Sequence, residues 1–193
     1  MDLKYLKDNI LSNRWKQRYE SLPEEVKEKL ESLNNSKTEE YQLQVIQRKR
    51  IYPEVGDVFL LNPRDEFFLK GIVVNNHINN INGEDLILVL IFKPDMNVDE
   101  VLKKGVEKED LLITPVIVGK EYWTRGYFNN ISNNMDVKKI RDYGFYSIGK
   151  GKFLDEFGTE IQKEPSLLGT YGVATITGIA KEINQELIIL GDF

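Results

Sequence analysis

Apolar positions in the first fifty residues recur every three or four places, the period of a helix with one buried face. Leu3, Leu6, Ile10, Leu11 and Trp15 share such a face. Ser21-Leu22-Pro23-Glu24 has the form of a capping box with a proline in the first turn. Behind it Val26, Leu30 and Leu33 make an apolar stripe that ends at Asn34-Asn35. Ser36 and Glu39 repeat the capping pattern and predict a third helix through Tyr41, Val45 and Ile46 to the basic run Arg48-Lys49-Arg50. That run suits a helix C-terminus, where the dipole favours cations. Short helices with narrow stripes are marginal alone, so residues 1–52 are expected to pack on a core built by residues 53–193.

From Pro53 onward the pattern becomes that of strands. Asp57-Val58-Phe59-Leu60-Leu61 is entered through Gly56, and a turn at Asn62-Pro63-Arg64-Asp65 leads to a second strand over residues 67–74. Asn75 to Asn82 reads as an asparagine-rich loop closed by the hairpin signal Asn82-Gly83. Residues 86–92 are uniformly apolar, as in a strand buried on both faces. The sum is a curled antiparallel meander, SH3-like or barrel-like. A short helix is expected over residues 95–102, stopped at Gly105. An extended stretch over 111–118 follows, with Pro115 marking an edge or a bulge. Residues 121–128 alternate in aromatic character and predict another strand. Tyr143–Ile148 and Lys152–Asp155 flank Gly149-Lys150-Gly151 as a hairpin. Val173, Ile176, Ala180, Ile183 and Leu187 have helical spacing, although a strand over 173–177 is an alternative start. The fold class is α+β: helices at the N-terminus, a curled antiparallel sheet, and a C-terminal helix.

Composition removes several kinds of chemistry. The chain has no cysteine, so no thiol nucleophile and no zinc–thiolate cluster, and one histidine, His77, so no multi-histidine metal site. No metal or cofactor is expected. The N-terminus lacks the apolar core of a secretory signal, and no apolar run is long enough to span a bilayer. A cytoplasmic protein that does not engage a membrane is the expectation. Charge is uneven: residues 1–50 carry 11 Lys/Arg against 9 Asp/Glu, and the remainder 15 against 22, a net of −7. That balance disfavours nucleic acid and attracts basic proteins, though mild acidity also serves solubility alone.

Few residues suggest catalysis. His77 lies among asparagines with no acid within six positions on either side, the pattern of a solvated side chain. The acidic groups Asp99/Glu100, Glu107/Glu109/Asp110 and Asp155/Glu156 do not have calcium-loop spacing, and Gly149-Lys150-Gly151 lacks that of a phosphate loop. Either a solvated face or a surface for a basic partner accounts for the acids. Tyr122, Trp123, Tyr127 and Phe128, with Arg125 among them, are of the types enriched at interface hot spots and equally at home in a half-buried strand.

From Val55 onward the chain resembles immunity protein family 26 of bacterial polymorphic-toxin systems. The resemblance rests on Gly56-Asp57-Val58-Phe59, then Phe67-Phe68-Leu69-Lys70-Gly71-Ile72-Val73. It continues through Ile113–Ile117, Tyr122-Trp123-Thr124-Arg125-Gly126-Tyr127-Phe128, Asp155-Glu156-Phe157-Gly158, and the glycines 169 and 172. It implies a non-enzymatic protein that binds and occludes a cognate toxin domain, with a basic toxin such as a nuclease suited to the acidic balance. No catalytic residue belongs to the pattern. The expected toxin-binding surface joins Asp99, Glu100, Glu107, Glu109 and Asp110 to Tyr122, Trp123, Arg125 and Tyr127. Gly56-Asp57-Val58 is also similar to the opening of PemK-like mRNA interferases, for which Arg64 would stand near the scissile phosphate. The chain is acidic and long for that fold. A regulatory interaction module without a toxin partner is the third reading.

Overall fold

A computed structural model describes residues 9–192. Leu3 and Leu6 of the first apolar stripe lie outside the described residues. The architecture is α+β, with six α-helices and two antiparallel-containing sheets among the described residues.

The N-terminal helices are α1 (Ile10–Glu20), α2 (Glu24–Asn35) and the single turn α3 (Thr38–Tyr41). Asn9 caps α1, its Oδ1 accepting from Leu11 N at 3.0 Å. Neither expected capping box forms. Ser21 Oγ donates back to Arg18 O and Ser36 Oγ to Ser32 O, so both serines close the preceding helix. Pro23 precedes α2 without a side-chain cap, and Glu40 Oε1 takes the Lys37 amide at the start of α3. The third helix also stops early. After Tyr41 the chain is extended: Gln44 bridges Asn62, and Ile46 N donates to Gly126 O at 2.8 Å. Backbone pairing to the sheet overrides the helical spacing of Val45 and Ile46, and the basic run 48–50 is exposed coil rather than a helix end.

The main sheet contains β1 (Asp57–Arg64), β2 (Phe67–Asn80), β3 (Gly83–Ile91), β4 (Val116–Val118) and β5 (Phe128–Asn133), in the order β4-β3-β2-β1-β5, all antiparallel. It does not close into a barrel. The expected asparagine loop is the far half of β2. Register shifts after Val73 let the strand continue to Asn80, which pairs with Gly83 across the turn that Asn82-Gly83 signalled. This long β2–β3 arm outreaches β1 and β4. Its Ile78, Leu86 and Leu88 pack with Phe145 of a second sheet, β6 (Tyr143–Ser147), β7 (Lys152–Leu154) and β8 (Leu167–Thr170), ordered β7-β6-β8. β6 and β7 form the expected hairpin, and β8 joins β6 in parallel.

α4 (Val98–Lys104) is capped by Asn97 and stopped at Gly105, as the spacing predicted. The expected strand over residues 121–128 is instead a one-turn helix, α5 (Glu121–Thr124), then a reversal at Gly126 into β5. Gly126 has φ +87°, and a Cβ there would press on the backbone of Gln47 and Arg48, so glycine alone fits the reversal. The long α6 (Ile176–Leu190) follows a single bridge between Val173 and Ile117, which leaves one residue of the alternative strand. Ile179, Ile183 and Leu187 of α6 are fully buried against the main sheet. Each contributes about 1.5–3 kcal/mol by burial. α2 packs on the outer side of α6 through Leu30, Leu33 and Ile188, and Asn184 Nδ2 bonds Tyr41 O at 2.9 Å. α1 is tied on by the pairs Arg14–Glu164 and Arg18–Glu186, each two-pronged. The Arg14 bond holds the Glu164 carboxyl below its ordinary pKa.

Candidate protein-contact surface

α4 and the loop behind it display the acidic stretch. Asp99 and Glu100 fill the first turn of α4, where the helix dipole favours them, and both are exposed. Asn134 Nδ2 donates to Asp99 Oδ1 at 2.5 Å. Glu107 and Glu109 are exposed too. Asp110 is not: it is 4% exposed, its Oδ1 lies 3.0 Å from Lys104 Nζ, and its Oδ2 accepts the Glu107 amide at 2.9 Å. Asp110 therefore holds the loop that presents its neighbours and leaves the expected contact set. Its bond also raises the Lys104 pKa.

Glu107 and Glu109 line an open groove of about 410 Å³ whose opposite wall carries Lys139, Arg141 and Asp142. Lys139 is paired with Asp136 at 3.0 Å. Ser166 at this groove donates to Asp142. The groove thus offers both signs of charge on both walls, Glu107, Lys108 and Glu109 on one and Lys139, Arg141 and Asp142 on the other.

The aromatic half of the expected surface divides. Tyr122 and Trp123 are core residues, 0% and 2% exposed. Trp123 meets Phe59 and Phe128 edge-on, with centroids 5.5 and 5.1 Å apart. Both polar tips are satisfied internally. Tyr122 Oη donates to Ala174 O at 2.9 Å, and burial raises its pKa well above the ordinary phenol value. Trp123 Nε1 donates to Asn130 Oδ1 at 2.7 Å, and Asn130 Nδ2 in turn to Asp57 Oδ2 at 2.6 Å. Asp57 also takes Asn133 Nδ2 at 3.0 Å, so it anchors β5 to the start of β1. A helical turn places neighbours 122 and 123 both inward, where strand alternation would have turned one out. Arg125 is exposed; Tyr127 is half-buried beside Glu39, Glu40 and Val45 in a separate groove of about 360 Å³. The two grooves share no residue. The structure thus brings Glu107 and Glu109 together and separates them from Arg125 and Tyr127.

The acidic pair Asp155/Glu156, expected on a solvated or partner-facing surface, has a buried member. Glu156, 7% exposed, accepts from Tyr143 Oη at 2.7 Å and Asn75 Nδ2 at 3.1 Å, while its carbonyl takes Asn80 Nδ2 at 2.8 Å. Burial, then the bond to Glu156, raises the Tyr143 pKa. No local signal marked the burial of Glu156, because its partners Tyr143 and Asn75 are distant in sequence. Asp155 beside it shapes the turn, its Oδ1 accepting from Phe157 and Thr159 amides.

His77 is exposed on β2 and stacks on Tyr52 with centroids 6.0 Å apart. Arg64, the residue required by the interferase reading, lies over the Phe67 ring and donates to Asp192 O. Among the described residues no three His, Cys, Asp or Glu side chains are grouped to hold a metal ion, and no helix is long and apolar enough to cross a membrane. No family model, curated protein or solved structure matches this chain.

Proposed function

We propose that this chain is a cytoplasmic immunity protein, which binds a basic toxin domain and neutralises it by covering its working surface. The observation that carries the reading is the exposed row Asp99, Glu100, Glu107 and Glu109, whose loop is held by the buried Asp110 through its pairing with the exposed Lys104. Carboxylates fixed on a helix turn and a tied loop steer a cationic partner without paying to order themselves at each encounter. The sequence resemblance supplies the class of partner, and its leading motif has a defined place in the fold. Gly56 O takes the Asn134 amide and Asp57 takes Asn133 Nδ2, which ties the start of β1 to β5, and Gly71, paired with Phe59, leaves room for the Phe59 ring over it.

The test is kinetic. The toxin domain encoded beside this protein, purified in a catalytically dead form, should bind with an on-rate that falls about tenfold at low salt when Glu107 and Glu109 are both changed to Lys. The difference should shrink at high salt. An unchanged on-rate removes the acidic row from the interface. Failure of the unmutated protein to bind that domain, or to rescue growth on co-expression with the active toxin, overturns the immunity reading itself.

A further inference from the structure

α1 has a weaker hold on the core than the other long helices. None of its 11 residues is buried, whereas α2 buries Leu30 and Leu33, and α6 buries Ile179, Ile183 and Leu187 completely. Ile10, Leu11, Trp15 and Tyr19 are half-buried, and Trp15 and Tyr19 rest against the cluster of Leu30, Leu33 and Ile188. A helix this short is marginal in water by itself, so α1 persists through its docking contacts.

The polar part of that docking is two arginine forks, set one helical turn apart. Arg14 Nη1 and Nη2 donate to Glu164 Oε1 and Oε2 at 2.6 and 2.9 Å, and Arg18 Nη1 and Nη2 to Glu186 Oε1 and Oε2 at 2.7 and 2.6 Å. The two acids come from separate places, Glu164 from the segment before β8 and Glu186 from α6. Both arginine side chains and Glu164 are more than a third exposed, and Glu186 is the sheltered member at 14%. Salt screens pairs as open as these.

A pivot lies at the other end of the helix. The Ser21 amide and hydroxyl both close α1 on Arg18 O, and the Leu22 amide closes on Tyr19 O. Pro23 then starts α2 with no amide to continue the ladder, so the two helices share no helical hydrogen bond across residues 21–23. We infer that α1 is a strap that detaches as a unit, latched by the Arg14–Glu164 and Arg18–Glu186 forks and turning about residues 21–23. Open, it frees both carboxylates and bares the side of the Leu30, Leu33 and Ile188 cluster that Trp15 and Tyr19 cover, while α6 and the main sheet stay folded. This does not rest on the immunity reading.

Amide exchange of the full chain at constant pH, from about 20 to about 500 mM salt, tests it. Residues 14–20 should lose about tenfold in protection over that range, and β1 to β3 should lose none. Arg14→Gln combined with Arg18→Gln should show the low protection at every salt concentration, with an unchanged melting temperature. The chain has no cysteine, so spin labels at Gln17→Cys and Lys163→Cys report the separation of α1 from the segment that holds Glu164. A second, longer distance should grow with salt, which fraying in place would not produce. Salt-independent protection of α1, a double variant that matches the unmutated chain or melts at a lower temperature, or a single label distance throughout would each overturn the inference.

Discussion

The Tyr143 hydroxyl lies 2.7 Å from Glu156 Oε1, and the same oxygen takes the Asn75 amide from the β2–β3 arm. One buried carboxylate thereby fastens the second sheet to the first. Removing a donor leaves it less satisfied in a site closed to most water. Tyr143→Phe should cost about 1–3 kcal/mol, read from the urea midpoint. Glu156→Gln keeps an acceptor and should cost less. In the double variant the two losses should not add, which separates this contact from a general packing defect.

Glu182 on α6 provides a pH test. Burial, reinforced by the Glu186 carboxylate, pushes its pKa up to about 7 from an ordinary 4.5. The folded protein therefore holds this proton more tightly than the unfolded chain. The resulting stability is fully present below pH 4.5 and is lost as pH rises through 7. Glu182→Gln abolishes the loss. Its gain over the unmutated protein should be small at pH 4.5 and reach about 1–3 kcal/mol at pH 8. Thermal melts at the two pH values measure the difference, and an equal gain at both would contradict the assignment.

Gly71 is where β2 passes the Phe59 ring. A Cβ there would overlap the ring and approach Leu90 O to 2.8 Å. Backbone on one side cannot yield, so Gly71→Ala should destabilise by about 3 kcal/mol. Phe59→Leu in the same chain should recover part of that loss, since the smaller side chain vacates the contested space. Chemical denaturation of the single and double variants decides the point.

Trp123 and Arg125 are two residues apart and should behave oppositely. Trp123→Ala empties a core site and strands Asn130, at a cost of about 3–5 kcal/mol. Arg125→Ala, on the surface, should stay within about 0.5 kcal/mol. Equal small effects would contradict the burial of Trp123.

The sequence was most informative where local chemistry and packing agree. The β1–β2 and β6–β7 hairpins, α4 between Asn97 and Gly105, and the amphipathic α6 all follow from nearby residues. It misled where a distant segment supplied the deciding bond. Ser21 and Ser36 had equally good backbone acceptors behind them, and Val45 and Ile46 found the sheet instead of a helix. Of the candidate surface, exposed acids on α4 and its loop were legible because a charged helix turn faces solvent by default. The burial of Asp110, Tyr122 and Trp123 was not. It depends on Lys104, Ala174 and Asn130, and on a helical turn that alternating aromatics disguise.

The order of elements matters while the chain is being made. A ribosome delivers β1 to β3 long before α6, the helix that seals their apolar face, has emerged. Until then the nascent sheet carries a bare hydrophobic surface, so chaperones should engage it during translation. A message truncated before codon 176 should yield a product that aggregates instead of accumulating as a shorter folded protein.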